Sequence, residues 1–385
     1  MKIAIILGTR PEIIKMSPLI RELEKRNLDY FILHTGQHYD YLMDKEFFEE
    51  LELPEPRYNL NVGRNEYRKQ VGLMIRSIAK VLVKEKPDIV FVQGDTNSVL
   101  AGALAANKVR IKIAHHEAGL RSHDLSMPEE TNRIITDHIA DYLFAPTGDA
   151  FKNLKEEGIK ESKIYLTGNT IVDAVRENIE LAEKKKEILK KFNLKKGSYI
   201  LATAHRAENV DIEKRLKGIL DGLNLVAQYF KIPVIYPIHH RTANNIKKFG
   251  LTIPAGIKII EPLGYLEFLQ LESNSKLIIT DSGGLQEEAC ILKIPCVTVR
   301  ENTERPETLN AGFNMLAGTD PERILASARE MTQSKKNWSN PFGDGHAAEK
   351  MLEATKMALK NSGNWVDFAK IKTVNLLRKI GLKKK

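Results

Sequence analysis

Short apolar runs alternate with longer stretches whose apolar residues recur at helical spacing, from the first residues onward. Ile3–Leu7, Tyr30–His34, Ile89–Gln93, Ile111–Ala114, Tyr142–Ala145 and Ile164–Thr167 are too short and too uniformly apolar for one-sided strands, so they predict buried parallel strands with helices between them. A second series repeats the pattern at Tyr199–Thr203, Val234–Tyr236, Ile257–Ile260, Leu277–Thr280 and Cys296–Val299, after a charged helix expected over Glu183–Lys191. The fold class that follows is α/β, with two Rossmann-like doubly wound domains meeting near Gly168–Asp173 and a site expected in the cleft between strand carboxyl ends. The division is 1–169, 170–360 and a tail at 361–385. Neither close internal repeats nor low-complexity stretches interrupt it.

Composition narrows this little but usefully. A chain of 385 residues with 42% hydrophobic content supports about two domain cores. Cys290 and Cys296 lie in apolar segments without metal spacing, which suits a reducing compartment. The opening Met1–Gly8 is too short and strand-like for a signal peptide, and no apolar run reaches membrane-spanning length, so a cytoplasmic protein is expected. The formal charge of +9 resides mostly in residues 361–385, where seven basic side chains face the single acid Asp367. With the body nearly balanced and no basic stripe interleaved with aromatics, nucleic acid is not an expected partner. In the tail, Trp365, Phe368, Ile371, Val374, Leu377 and Ile380 form an apolar stripe on a basic helix. That stripe is read as packing on the protein itself, the other reading being contact with an anionic membrane surface.

Candidate chemistry sits at strand ends. Thr280-Asp281-Ser282-Gly283-Gly284 passes from strand to helix, and such a turn is either a plain N-cap or an anion cradle, in which backbone N–H groups and the helix N-terminus receive a phosphate. Glu288, a turn further on, suits hydroxyl groups such as those of a ribose. Arg10 and Lys15 flank the helix after the first strand and would face an anion. Asp95 follows the strand ending at Gln93, as a helix cap or an acid. With Glu117 and Glu129 it gathers three carboxylates on one rim, a set suited to acid/base work because crowding drives carboxylate pKa values apart. His115 and His116 are adjacent and no ligand spacing repeats, so no metal is expected. His205 and Arg305, after strands of the second series, would flank the glycine turn.

Taken together these residues resemble the non-hydrolysing UDP-N-acetylglucosamine 2-epimerases. The resemblance rests on Gly8-Thr9-Arg10-Pro11-Glu12, Thr35-Gly36-Gln37-His38, Gln93-Gly94-Asp95-Thr96 and His116-Glu117-Ala118-Gly119-Leu120-Arg121, followed by Pro128-Glu129-Glu130, Asn132-Arg133 and Gly168-Asn169. It continues through His205-Arg206, Glu208-Asn209, Asp281-Ser282-Gly283-Gly284, Gln286-Glu287-Glu288 and Thr303-Glu304-Arg305-Pro306-Glu307, all in family order. The resemblance implies a glycosyltransferase-B type fold, a homodimer, and interconversion of UDP-N-acetylglucosamine with UDP-N-acetylmannosamine for surface polysaccharide or glycan synthesis. It assigns UDP binding to Arg10, Lys15, His205, Phe268, Ser282, Gly283, Gly284, Glu288 and Arg305, with backbone from Leu263, and acid/base roles to Asp95, Glu117 and Glu129. His205, at the departing diphosphate, joins the catalytic set. Gln37, His38 and His239 match positions of a regulatory substrate site, although Tyr236-Pro237-Ile238-His239-His240-Arg241-Thr242 departs from the bacterial pattern after His239.

The chemistry constrains the mechanism further. C2 of the sugar has no adjacent carbonyl, so its proton is barely acidic. Oxidation at C3 would need a nicotinamide, but no Gly-x-Gly-x-x-Gly follows a strand, and no cofactor is expected. Elimination of UDP through 2-acetamidoglucal and readdition is the expected route. A hydrolysing epimerase, a glycosyltransferase of the same fold and a non-catalytic UDP-sugar sensor remain as other classes.

Overall fold

The computed structural model describes residues 1–37, 41–62, 67–185, 187–334 and 338–361. His38 and the tail beyond residue 361, with its apolar stripe, lie outside them. The chain divides into two units, one of residues 1–41, 56–169 and the stretch from 346 onward, the other of residues 42–55 and 170–345.

In the first unit seven parallel strands form one sheet: β1 (Lys2–Leu7), β2 (Asp29–His34), β3 (Tyr58–Asn59), β4 (Ile89–Gln93), β5 (Lys112–His116), β6 (Tyr142–Ala145) and β7 (Ile164–Leu166), in the order β3-β2-β1-β4-β5-β6-β7. Ile3, Ile5 and Leu7 of β1, like Val90 and Val92 of β4, are completely buried, as strands covered by helices on both faces must be. The order reverses between β1 and β4, so the loops leaving these strands open a crevice at the carboxyl edge. β5 runs two residues beyond the expected Ala114 and takes in His115 and His116, both buried.

The second unit has six parallel strands: β8 (Ile200–Thr203), β9 (Val234–Pro237), β10 (Ile257–Ile260), β11 (Ile278–Thr280), β12 (Cys296–Thr298) and β13 (Asn314–Leu316), in the order β10-β9-β8-β11-β12-β13. Its switch point lies between β8 and β11. The edge strands β3 and β13, of two and three residues, escaped the sequence reading because neither is an apolar run. The charged segment before β8 forms the end of the helix Thr170–Lys185 and a separate short helix, Ile188–Lys191.

The first unit also takes the C-terminal helix Ala347–Asn361, which a linear division assigns to the second. Arg26, at the end of the helix Arg10–Lys25, pairs with Glu22, Glu353 and, at 3.6 Å, Glu349, which ties this helix back to the beginning of the chain. Among the described residues no helix is long and apolar enough to cross a membrane.

Gly119, just after Glu117, adopts φ +83°, and a Cβ there would lie 2.2 Å from the carbonyl oxygen of Ala150. Its N–H donates to Asp137 at 3.0 Å, so the turn has no freedom to relax away. Gly119→Ala should therefore cost roughly 2–4 kcal/mol, strain and overpacking together, in a denaturant titration. A loss below about 0.5 kcal/mol would mean the turn yields.

Candidate functional site

In the first unit three loops leave the carboxyl edge on either side of the switch point. Thr9 precedes the helix Arg10–Lys25 in extended backbone, with Pro11 in the first turn. The buried Glu12 carboxylate accepts the backbone N–H of Gly8 at 2.5 Å and of Thr9 at 2.9 Å, and also the hydroxyl of Thr96. One side chain thus joins the loop after β1 to the loop after β4. Burial raises the Glu12 carboxyl to about 7, against the pull of those three donors, with Asp95 adding a smaller push in the same direction.

Asp95 is not the helix cap. Thr96 fills that position, its hydroxyl accepting from the Val99 N–H at 3.4 Å. Asp95 instead receives Arg133 through both Nε (3.0 Å) and Nη2 (2.5 Å), while Nη1 of the same guanidinium donates to Glu130 at 2.6 Å. Glu130 also takes the N–H groups of Ser122 (3.0 Å) and His123 (2.9 Å). Burial would raise this carboxyl, but these donors hold it below the usual range.

Glu117 is buried and held in left-handed backbone at φ +64°, a conformation that a non-glycine residue adopts at a cost of order 1–3 kcal/mol. Its carboxylate receives Lys15 Nζ at 2.5 Å, Asn169 Nδ2 at 2.8 Å and the side-chain amide of Gln93. Lys15, expected to face a bound anion, here pairs with this carboxylate. Glu117 also lies against the loop of Asp95, since a Cβ on Gly94 would be 3.5 Å from its Oε2. Glu129, half-buried in the first turn of Pro128–Ile139, has no ion pair among the described residues.

Beneath them His115 Nδ1 contacts Asp137 at 2.6 Å and its Nε2 donates to the Gly94 carbonyl at 2.8 Å, fixing the turn that carries Asp95. Arg121 pairs with the same Asp137 at 2.8 Å. His116 is kept neutral, burial bringing its pKa down to about 4. Among the described residues no group of three or more His, Cys, Asp or Glu is placed to hold a metal ion. Arg10 is the first residue of its helix and half-buried. Gln37 accepts from the Ser98 N–H at 3.0 Å and the Ser98 hydroxyl at 2.7 Å.

In the second unit Ser282 caps the helix Gly283–Leu292, its hydroxyl accepting from Leu285 N–H at 3.5 Å. A Cβ on Gly283 or Gly284 would meet nothing nearer than 3.7 Å, so internal packing does not demand these glycines. What they preserve is access to the helix N-terminus from outside. Asp281, which the sequence presented only as part of the turn, accepts the N–H groups of His205 (3.0 Å) and Arg206 (2.9 Å), and its other oxygen meets His205 Nδ1 at 3.1 Å. Although burial opposes it, these contacts and Asn209 lower the Asp281 carboxyl. With Nδ1 on Asp281, His205 presents Nε2 outward from a side chain 45% exposed.

Arg305 donates to Glu287 at 2.6 Å, and its own N–H meets Thr303, whose hydroxyl donates to Gln286 at 2.6 Å. Glu304, next to it, bonds Arg300 at 2.7 Å; that contact and Arg206 outweigh burial and bring its carboxyl down to about 2. Glu288 is buried and receives the Tyr265 hydroxyl at 3.0 Å. Leu263 and Phe268 pack, partly buried, against the core cluster around Tyr199 and Ile278. His239 caps the helix His240–Lys248, with its ring 6.2 Å from that of His205.

The family model for UDP-N-acetylglucosamine 2-epimerase matches residues 21–356. The chain belongs to the UDP-N-acetylglucosamine 2-epimerase family. It is 55% identical over 358 residues to the UDP-N-acetylglucosamine 2-epimerase of Methanocaldococcus jannaschii, covering 91% of this chain and 98% of that protein. It is 42% identical over 357 residues to the UDP-2,3-diacetamido-2,3-dideoxy-D-glucuronate 2-epimerase of Pseudomonas aeruginosa, covering 92% and 99%. Among solved structures it matches the M. jannaschii epimerase in complex with UDP-GlcNAc and UDP, with a TM-score of 0.85, 55% identity and coverage of 93% of this chain and 100% of that one. The expected two-domain fold of glycosyltransferase-B type is thus shared with epimerases of this family.

Glu12 carries a pH prediction. Its folded pKa, raised from 4.5 to about 7, contributes stability present below about 4.5 and lost as pH rises through about 7. Glu12→Gln keeps an acceptor for Gly8 and Thr9 and removes the charge. The melting temperature of the variant should therefore gain on wild type between about pH 5 and pH 8. A constant difference across that range would show that Glu12 titrates normally.

Proposed function

We propose that the protein reversibly epimerises UDP-N-acetylglucosamine at C2 to UDP-N-acetylmannosamine, and that it does so by eliminating and readding UDP. The observation that carries this reading is Glu117: a carboxylate held by three fixed donors in strained backbone, against the loop that carries Asp95, in a chain of this family. Strain of that kind persists where a side chain must be presented in one orientation.

In the proposed reaction a carboxylate of the set Asp95, Glu117 and Glu129 takes the C2 proton. The electron pair forms the C1–C2 double bond of 2-acetamidoglucal as the C1–O bond breaks and UDP leaves. UDP then adds back to C1 while an acid protonates C2 from the opposite face, so the net change is inversion at C2. Each proton removed is returned by the enzyme or solvent, and no redox partner enters. The amides of the Ser282–Gly284 turn, Arg10, Arg305 and the His205 ring steadied by Asp281 would stabilise charge developing on the departing diphosphate. Glu288 would receive the ribose hydroxyls, and Phe268 with the Leu263 backbone the uracil.

Lys15 has a second role in this reading, as the counter-charge of Glu117 rather than a phosphate ligand alone. A homodimer, a cytoplasmic location and supply of a surface polysaccharide or glycan precursor belong to the same proposal. So does a regulatory role for Gln37, His38 and His239, of which His38 lies outside the described residues. The relative acting on a diacetamido-glucuronate suggests a second reading, the same C2 chemistry on that sugar. Incubation of purified protein with each sugar nucleotide separates the two, and free N-acetylmannosamine plus UDP as products would identify a hydrolysing enzyme instead.

Product formed in deuterium oxide, with no nicotinamide added, should carry deuterium at C2 by NMR. Protium retained at C2 would overturn transfer through two opposed groups. Glu117→Gln and Glu129→Gln should each lower turnover by roughly 10² or more. Asp95→Asn should fall as far, and should also lower the melting temperature because Arg133 loses one of its two carboxylate partners. A milder effect than Glu129→Gln would make Asp95 an anchor for Arg133 rather than an acid or base.

A further inference from the structure

Within the second unit, the helix Gly283–Leu292 that begins at the glycine turn carries a side chain with no place in the reaction so far. Gln286 is 0% exposed, and its amide is bonded at both ends. Nε2 donates to the Ser282 carbonyl at 3.3 Å, supporting the long first helical bond that the Gln286 backbone N–H makes to the same oxygen at 3.4 Å. Oε1 accepts the Thr303 hydroxyl at 2.6 Å and Asn314 Nδ2 at 3.2 Å. Asn314 is oriented in turn by the Thr298 hydroxyl, which donates to its Oδ1 at 2.8 Å. Donors and acceptors alternate along this chain, so the neighbours of the Gln286 amide fix which way it points.

At the other end of the chain stands Arg305. Its backbone N–H donates to Thr303 Oγ1 at 3.1 Å, its carbonyl accepts the Thr308 hydroxyl at 2.6 Å, and its Nε donates to Glu287 at 2.6 Å. The successive residues Gln286 and Glu287 therefore hold Arg305 twice, by its main chain through Thr303 and by its side chain directly. An arginine braced before the ligand arrives has less rotamer freedom to lose on binding. One buried amide thus touches both the carbonyl that opens the glycine turn and the threonine that carries Arg305. We propose that Gln286 is a positioning residue: it sets the glycine turn and Arg305 in a fixed relation, so that the donors of two strand-end loops act on one diphosphate. The inference rests on the reading of the Ser282–Gly284 turn and Arg305 as diphosphate ligands and names the group that makes them act together.

Calorimetry with UDP on full-length protein tests this through a double-substitution cycle. Arg305→Ala should weaken UDP binding, and no change there would defeat the reading of Arg305 as a ligand and the proposal with it. With that loss established, Gln286→Met, which keeps the reach of the side chain and removes its hydrogen bonds, should weaken UDP binding by roughly tenfold. In the Arg305→Ala background the same substitution should cost no more than about threefold, because the group it positions is gone. A glutamine that only satisfies the core would cost the same in both backgrounds. Equal losses in the two, or UDP binding unchanged in Gln286→Met, would therefore overturn the proposal while leaving Arg305 as a ligand. At saturating substrate kcat should fall as well, since charge on the departing diphosphate is greatest in the transition state, and an unchanged kcat would count equally against it. Thr303→Val cuts the same link at a partly exposed position and keeps the test independent of whether the methionine variant folds. It should weaken UDP binding several-fold in the wild-type background and have little effect in Arg305→Ala, and unchanged binding in Thr303→Val alone would overturn the link.

Discussion

Backbone N–H groups that emerge from the carboxyl ends of parallel strands must find acceptors, and in both units a buried carboxylate supplies them. Glu12 takes Gly8 and Thr9 from the loop after β1 and Thr96 from the loop after β4. Asp281, in the loop after β11, takes His205 and Arg206 from the loop after β8. In each case the two loops that flank the switch point of the sheet are bound into one piece by a single side chain. At Asp281, whose carboxyl is lowered, such charge-assisted bonds are worth about 1.5–3 kcal/mol each, and in either unit losing the acceptor would strand several buried donors at once. Arg10, Asp95, His205 and the glycine turn all hang from these two clamps.

The units then differ in what they present. The first gathers acids and neutralises them locally: Lys15 on Glu117, Arg133 on Asp95 and Glu130, His115 and Arg121 on Asp137. That arrangement tolerates a dense set of carboxylates, which is what the proposed proton transfer to either side of one carbon would require. The second unit presents donors instead, the open helix N-terminus at Gly283 and the outward edge of His205, with Arg305 braced on Glu287. Of its acids, Glu304 is committed to Arg300 and Arg206, and Glu287 to Arg305. In the proposed reaction the donors of the second unit, with Arg10 of the first, suit a diphosphate, and the carboxylates of the first unit suit proton transfer at the sugar.

Much was legible in the sequence, and for identifiable reasons. Apolar runs without alternation can only be strands buried on both faces, so the two parallel sheets and nearly all their strands were readable; β3 and β13 were not, because an edge strand of two or three residues is defined by its neighbour's hydrogen bonds and not by its composition. Strand-end motifs likewise announced Asp95, Glu117, His205 and the Ser282–Gly284 turn by chemistry and position. What the sequence could not carry were facts of pairing. That Thr96 takes the cap and releases Asp95 to Arg133, that Lys15 spends its charge on Glu117 across 102 positions of chain, and that Glu117 sits in left-handed backbone are set by three-dimensional neighbours. Protonation shows the same limit: in the sequence Glu12 is one more acid in a first helical turn, and only its burial between the loops after β1 and β4 lifts its carboxyl to about 7, because protonation is decided by the charges and solvent around a carboxyl and not by the residue itself.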